Sequence, residues 1–299
     1  MYPIYPYLGW DMRCTQVPIA FLPQHQDRQP GFEYVMIPRP IAENPSYKGS
    51  GKLKNKVAII TGGDSGIGRA VAIAFAKEGA DLVIAYLDEH QDAAETKEAI
   101  EQLGQRCLTI ATDLRKEDSC IYVVEKTVET LGQIDILVNN HAVQFPRQTI
   151  LDITAKQLKN TFQTNIISFF YMTKAALPYL CAGSAIINTT SVTAYRGEKT
   201  LIDYSATKGA IVSFTRSLSL SLIEQGIRVN GVAPGPIWTP LIPSSFSASR
   251  VKRFGTETPM KRAGQPFELA PTYVYLASED SAYVTGQILH VNGGEMVES

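Results

Sequence analysis

The sequence holds little of what metal, disulfide or nucleic-acid chemistry needs. Four cysteines (Cys14, Cys107, Cys120 and Cys181) occur in 299 residues, and no two have the C-x-x-C spacing of a zinc or redox site. They read as unpaired thiols in a reducing compartment. Four histidines, at positions 25, 90, 141 and 290, lie too far apart for a ligand set, so no metal is expected. Basic and acidic residues nearly cancel, 28 against 29, for a net charge of −1. With no basic stripe, neither nucleic acid nor a membrane surface is expected as a partner. No apolar run reaches the roughly 18 residues of a membrane span. The opening Met1-Tyr2-Pro3-Ile4-Tyr5-Pro6 lacks the basic start and apolar stretch of a secretory signal. A cytoplasmic location is expected.

What the chain does have changes near Gly51. Prolines at 3, 6, 18, 23, 30, 38, 40 and 45 argue against helix and central strand across residues 1–51. Tyr2, Tyr5, Tyr7, Trp10, Phe21, Phe32 and Tyr34 nevertheless give this arm much to bury, unlike a disordered tail. It is expected to lie extended on the core or on a neighbouring subunit.

From Lys52 to the end, short apolar runs alternate with helical patterns. Strands are expected at 57–61, 82–86, 108–111, 134–139, 185–189, 228–233 and 288–291. Most are continuous apolar runs, as parallel strands covered on both faces require. Ile67, Val71 and Phe75 repeat at helical spacing before Gly79, marking one buried helix face. Further helices are expected at 92–103, 118–131, 154–180, 204–225 and 268–277, with a local distortion at Asn165, a weak helix former inside the third of these. This alternation implies an α/β, doubly wound parallel sheet.

Thr61-Gly62-Gly63-Asp64-Ser65-Gly66-Ile67-Gly68 joins the first of these strands to its helix. Glycines there permit a tight turn and let backbone approach a pyrophosphate at the positive helix end. Gly62, Asp64, Ser65, Gly66, Ile67 and Gly68 are therefore candidate cofactor residues. Tyr204 and Lys208 stand four apart on an expected helix, hence on one face. A nearby ammonium lowers a tyrosine pKa, which makes Tyr204 a candidate acid and base.

Taken with Asn139-Asn140-His141-Ala142, Asn165, Ser191 and Pro234-Gly235, the order and spacing of these motifs resemble the short-chain dehydrogenase/reductase family. Within it the chain is similar to glucose-dehydrogenase-like and bacterial general-stress-type oxidoreductases. The resemblance spans residues 52–294 and leaves out the arm. It implies a Rossmann-type fold with seven parallel strands and the site at their C-terminal ends. It also implies catalysis by Asn165, Ser191, Tyr204 and Lys208: Ser191 orienting the substrate oxygen, Lys208 holding the nicotinamide ribose, and Asn165 supporting a water-linked proton path. Asp113 and Leu114 would flank the adenine, and Asn139 and Ala142 the adenosine. Pro234, Gly235, Ile237 and Thr239 would line the nicotinamide and pyrophosphate. His141-Ala142 departs from the more usual Ala-Gly.

Acids at Asp64, Asp88 and Glu89, with no cation beside Ser65 or Tyr86, favour NAD over NADP, because a 2′-phosphate needs an Arg or Lys. Tyr86 and Asp88 are the candidate ribose contacts. Arg69 is expected to be a surface residue on the first helix turn. A polar, serine-rich stretch at about 240–262 reads as a substrate lid. Gln144, Phe145, Arg147, Thr193, Tyr195, Arg196 and Trp238 are expected to ring the pocket, suiting a small alcohol or ketone, among them sugars and polyols.

The reaction expected is interconversion of alcohol and carbonyl. Two alternatives stand beside it: a non-catalytic NAD-binding sensor, and a sugar-nucleotide epimerase, whose usual longer C-terminal domain is missing here. A homotetramer is expected, with Val212, Thr215, Leu218 and Ser219 forming an interface stripe and the arm helping to hold it; the resemblance implies a second pairing of subunits through Ile288–Val291.

Overall fold

In the computed structural model, residues 8–10 and 16–297 are described. Tyr2, Tyr5, Tyr7, the Trp10 side chain and Cys14 lie outside that set. The arm opens with a two-stranded antiparallel ribbon, β1 (Leu8–Trp10) against β2 (Gln16–Pro18). It then runs without regular structure to the sheet, as its prolines require. Phe21 is fully buried and stacks on Trp238 at 3.7 Å between ring centres. Val17 and Met36 are buried as well. Of the two resting places expected for the arm, its described residues take the first, the core of their own chain.

The sheet holds seven parallel strands: β3 (Val57–Thr61), β4 (Asp81–Tyr86), β5 (Cys107–Ala111), β6 (Ile136–Asn139), β7 (Ala185–Thr189), β8 (Arg228–Pro234) and β9 (Ile288–Val291). Their spatial order is β5-β4-β3-β6-β7-β8-β9. From β3 the chain winds outward through β4 and β5, then returns to β6 on the other side. That reversal opens a crevice at the carboxyl ends of β3 and β6, where this fold class binds ligands.

Helices cover both faces, as continuous apolar strands demand. On one face α1 (Gly66–Lys77), α2 (His90–Gln102) and α9 (Pro266–Ala277) pack on Ile60, Leu82, Ile84, Val138 and Val232. On the other, α3 (Glu117–Leu131), α5 (Ser168–Ala176) and α7 (Ile202–Leu222) cover Ile59, Val83, Leu137, Ile186 and Val229. The doubly wound parallel sheet expected from the alternation is observed, with the seven strands and Rossmann-type order that the family resemblance implies.

Two expectations need correction. The single helix expected at 154–180 is α4 (Ala155–Phe162), a π-turn (Gln163–Ile167), α5 and a 3₁₀ turn (Leu177–Tyr179). The stripe expected at a subunit interface is spent inside the chain. Val212, Thr215 and Ser219 are buried, with Thr215 accepting from Asn188 Nδ2 on β7 at 3.0 Å. The exposed apolar side chains of that region are Leu220 and Ile223.

Candidate active site

Where β3 ends, the chain must reverse into α1 within a few residues. Gly62 and Gly66 adopt φ of +63° and +53°, where side chains are strained. A Cβ on Gly68 would stand 2.0 Å from the Gly62 carbonyl oxygen, so helix and strand can only approach this closely through glycine. Arg69, expected on the surface, is instead buried. Its guanidinium donates to the Asp64 carbonyl at 3.0 Å, the Thr96 hydroxyl at 2.8 Å, the Asp92 carbonyl at 2.7 Å and the Glu33 carboxylate at 2.7 Å. These donors are thus spent on acceptors within the chain. Nothing adjacent in the chain signals this, because the acid that draws Arg69 inward comes from the arm.

From the turn a groove runs along the carboxyl ends of the strands. Its first cavity, about 280 Å³, is lined by Gly62, Asp64, Ser65, Gly66, Ile67, Tyr86, Leu87, Glu89, Asp113, Leu114, Asn140 and Ala142, and by the arm's Gln29, Pro30 and Gly31. The second, about 160 Å³, holds Ser191, Tyr204, Lys208, Pro234, Gly235 and Ile237. Ile67, Asn140, Ala142, Thr239 and Leu241 line both, which makes the two one groove. An elongated dinucleotide fits this shape, with glycine backbone at one end and polar side chains at the other. A larger cavity, about 460 Å³, lies between α1, α9 and residues 42–47 of the arm. None of the four candidate catalytic residues lines it.

Three expected cofactor residues stand outside the groove. Asn139 is buried, donating to Asn188 Oδ1 at 3.0 Å, and Asn140 lines the groove in its place. Gly68 serves the packing of α1. Asp88 is paired with Arg28, and Glu89 takes the groove position. Arg28 also lies 3.5 Å from Glu89, so a cation does stand at the end of β4. It arrives from the arm, which local sequence around β4 could not reveal. Burial raises the pKa of Asp64 to about 6 and of Glu89 to about 8, with the Asp92 charge adding to the first and the Asp64 charge to the second.

Tyr204, Lys208 and Ser191 come together at the inner end. Lys208 Nζ donates to the Thr189 carbonyl at 2.8 Å and stands 5.5 Å from the Tyr204 ring centre. Burial pushes Tyr204 up to about 12, and a hydrogen bond with Ser191 opposes it. Burial pushes Lys208 down to about 7. The lowering expected from the ammonium is not what acts on Tyr204: desolvation sets the direction, with Ser191 opposing it. Asn165 lies behind this cluster, not in it. Inside the π-turn its amide accepts from Val143 N at 2.8 Å and donates to Val143 O at 2.9 Å. It so ties the loop after β6 to the helix that carries it. An asparagine in mid-helix was the sequence signal for this distortion.

His141, the departure from the usual motif, bridges the Thr61 hydroxyl and the Ser168 hydroxyl, each at 2.8 Å. Burial, with Lys208 adding to it, lowers its pKa to about 3, so the ring is neutral.

Of the residues expected around the substrate, Gln144, Thr193 and Arg196 line the inner cavity. Phe145 lines the outer one. Trp238 does not take part: it is fully buried, stacked on Phe21, with Nε1 donating to the Pro38 carbonyl at 2.9 Å. Tyr195 packs against His290 at 4.5 Å. The stretch expected to be a lid contributes Leu241, Ile242, Phe246, Arg250 and Phe254, the last two from and beyond a short helix, α8 (Ala248–Val251). The arm reaches across here too. Gln29 donates to the Gln144 carbonyl and to Ser245 Oγ at 3.2 Å, and accepts from Gln144 N at 2.9 Å.

A family model described as enoyl-(acyl carrier protein) reductase matches residues 62–295. General stress protein 39 of Bacillus subtilis (strain 168) is 60% identical over 274 residues, 92% of this chain and 96% of that one. Glucose and ribitol dehydrogenase of Daucus carota is 53% identical over 283 residues, covering 93% and 97%. NADPH-dependent aldehyde reductase 1, chloroplastic, of Arabidopsis thaliana is 52% identical over 283 residues, covering 92% and 98%. Among solved structures, a short-chain dehydrogenase from Burkholderia cenocepacia J2315 in complex with NADP superposes with a TM-score of 0.77. It is 28% identical and covers 81% of this chain and 98% of that one.

Proposed function

This chain belongs to the short-chain dehydrogenase/reductase family of oxidoreductases, and we propose that it interconverts an alcohol and a carbonyl with Tyr204 as general acid and base. The observation that carries this reading is the placement of Tyr204, Ser191 and Lys208 at the inner end of a groove that starts at the glycine turn. A nicotinamide cofactor, when bound there, supplies the hydride acceptor or donor.

In oxidation the substrate hydroxyl loses its proton to Tyr204 Oη as its carbon gives up the C–H electron pair as hydride, leaving C=O. In reduction Tyr204 returns the proton. Ser191 orients the substrate oxygen and shares the hydrogen bond that counters the burial of Tyr204. A positively charged ring beside Tyr204 favours phenolate, adding to Ser191. Asn165 acts through the Val143 backbone, fixing the loop that forms one wall.

For the cofactor, the observations favour NADP(H), against the expectation of NAD drawn from local acids. Arg28 stands beside Asp88 and Glu89, and the raised pKa of Glu89 weakens the acidic wall that argued against a 2′-phosphate. A solved neighbour is an NADP complex, and one relative is named for NADPH. The substrate reading is a small polar alcohol or carbonyl, a sugar, polyol or aldehyde. Gln144, Thr193 and Arg196 in the inner cavity support it, as do the names of two relatives.

A homotetramer remains the reading for assembly, without the stripe of Val212, Thr215 and Ser219, which is buried. Its support is the exposed apolar set Phe170, Leu220 and Ile223, and the half-exposed edge strand β9. A cytoplasmic location goes with the widely spaced cysteines. Among the described residues no helix is long and apolar enough to cross a membrane.

Absorbance of NADPH and NADH, followed against a panel of sugars, polyols and aldehydes, tests the reading. Turnover with at least one supports it, and none across the panel, with cofactor bound, overturns it in favour of a sensor.

A further inference from the structure

Resting on the nicotinamide reading of the groove, we propose that Glu33 of the N-terminal arm is a positioning residue for the dinucleotide, holding the glycine turn in its binding shape. Glu33 is 1% exposed, and its carboxylate accepts from Gly66 N at 2.6 Å. Gly66 opens α1, so this carboxylate takes one of the backbone donors that a helix start leaves without an intrahelical partner. An anion is favoured at that end of the helix dipole. The other carboxylate oxygen accepts from Arg69 at 2.7 Å.

Arg69 ties the same turn a second time through the Asp64 carbonyl, at 3.0 Å, and Thr96 accepts Arg69 Nε while donating to that carbonyl at 2.8 Å. The arm backbone is fixed to match: Glu33 N and Tyr34 N donate to the Asp92 carboxylate at 2.6 and 2.9 Å. Three of the arm's residues, Gln29, Pro30 and Gly31, then continue into the wall of the outer cavity. The glycine turn is thus clamped on its inner side by a segment about thirty residues earlier in the chain, leaving its outer side to the ligand.

The charge balance matters as much as the geometry. A lone carboxylate under the turn would repel a pyrophosphate, and the Arg69 guanidinium cancels it at 2.7 Å. Glu33 and Arg69 therefore act as a neutral brace. Burial pushes the Glu33 carboxyl up to about 7, with Arg69 and the Gly66 amide opposing. Binding is best measured at about pH 8, where that carboxyl is mostly ionised.

The test is direct binding of NADPH to the full-length protein by fluorescence titration, with no substrate and no turnover. Glu33→Ala should weaken NADPH by about tenfold or more while kcat at saturating cofactor stays within about twofold. Glu33→Gln keeps an acceptor for Gly66 and should recover part of that affinity, and it also serves if the alanine variant does not fold. Glu43→Ala removes a peripheral ion pair between the same arm and Lys77 on α1, 2.7 Å apart, and should leave Kd unchanged. A purely structural Glu33 would lower melting temperature and active fraction but not the Kd of the folded protein. Folded Glu33 variants that bind NADPH like wild type overturn the inference. A wild type that binds neither NADPH nor NADH overturns the functional reading instead.

Discussion

Lys208 Nζ stands 5.5 Å from the centre of the Tyr204 ring and points past it to the Thr189 carbonyl, 2.8 Å away. The two residues share a helix face and are both buried, yet burial drives them in opposite directions, the phenol to about 12 and the ammonium to about 7. Each loses its charged form to desolvation. The pair is thus set up to need an added positive charge before Tyr204 can act as a base.

Tyr204→Phe should keep the fold and NADPH affinity and lose about 10²–10⁴-fold in kcat, the usual share of a general acid or base. Stopped-flow absorbance on a substrate found active with wild type measures it. A variant retaining more than about a tenth of the rate removes Tyr204 from that role.

Lys208→Met should be inactive yet more stable. The folded pKa of about 7 lies below the ordinary 10.5, so the unfolded chain binds more protons between these values, and stability rises with pH across that window. Near pH 7 and below, the folded protein carries the cost of burying the ammonium. Removing it should stabilise by on the order of 1–3 kcal/mol, net of the lost bond to Thr189. Denaturant unfolding at pH 7 and pH 10 should show the gain shrinking at the higher pH.

His141→Ala should lower stability at alkaline pH by about 1–3 kcal/mol, because the Thr61 and Ser168 hydroxyls lose their shared partner. In the wild type this imidazole is held neutral, with a folded pKa of about 3 against an ordinary 6.5. The unfolded chain takes up the proton first, so the stability that His141 contributes is present above about 6.5 and is lost as pH falls through the window below it. The alanine variant should therefore lose melting temperature less steeply than wild type between pH 7 and pH 5. Parallel curves would count against a buried neutral ring.

Arg28→Ala should weaken NADPH by about tenfold and NADH much less, as expected for a cation within reach of a 2′-phosphate. Isothermal titration with both dinucleotides checks this. Equal losses for the two would assign Arg28 to holding the arm, and tighter NADH than NADPH in the wild type would return the cofactor reading to NAD.

The sheet, and the grouping of Ser191, Tyr204 and Lys208 in one cavity, were legible because their signals are local. Val57–Thr61, Ala185–Thr189 and Ile288–Val291 form strands with the bounds their apolar runs suggest. Asn165 announced its π-turn by being a poor helix former in mid-helix. What escaped were relationships between distant segments. Arg69 looked like a surface arginine because nothing near it in sequence shows Glu33 beneath it. Trp238 looked like a pocket aromatic because its partners, Phe21 and Pro38, are some 200 positions away. The arm's aromatics showed that it must be buried, while its contacts depend on side-chain amides such as Gln29, which carry no periodicity at all.

The arm is also made long before its resting place exists. Pro38 accepts from Trp238 across 200 positions, Gln26 N donates to Pro243 O at 2.9 Å, and Phe267 N donates to Ile41 O at 3.1 Å. At about 5–20 residues per second, the synthesis gap between such partners is on the order of 10–40 s. For that interval the nascent chain displays Phe21 and Met36 uncovered while β3, α1 and β4 already have what they need to begin pairing. Docking of Phe21 and Pro38 on Trp238 is therefore a late folding event, and a chain stalled before Trp238 would offer chaperones an apolar N-terminus whose final dock is not yet made.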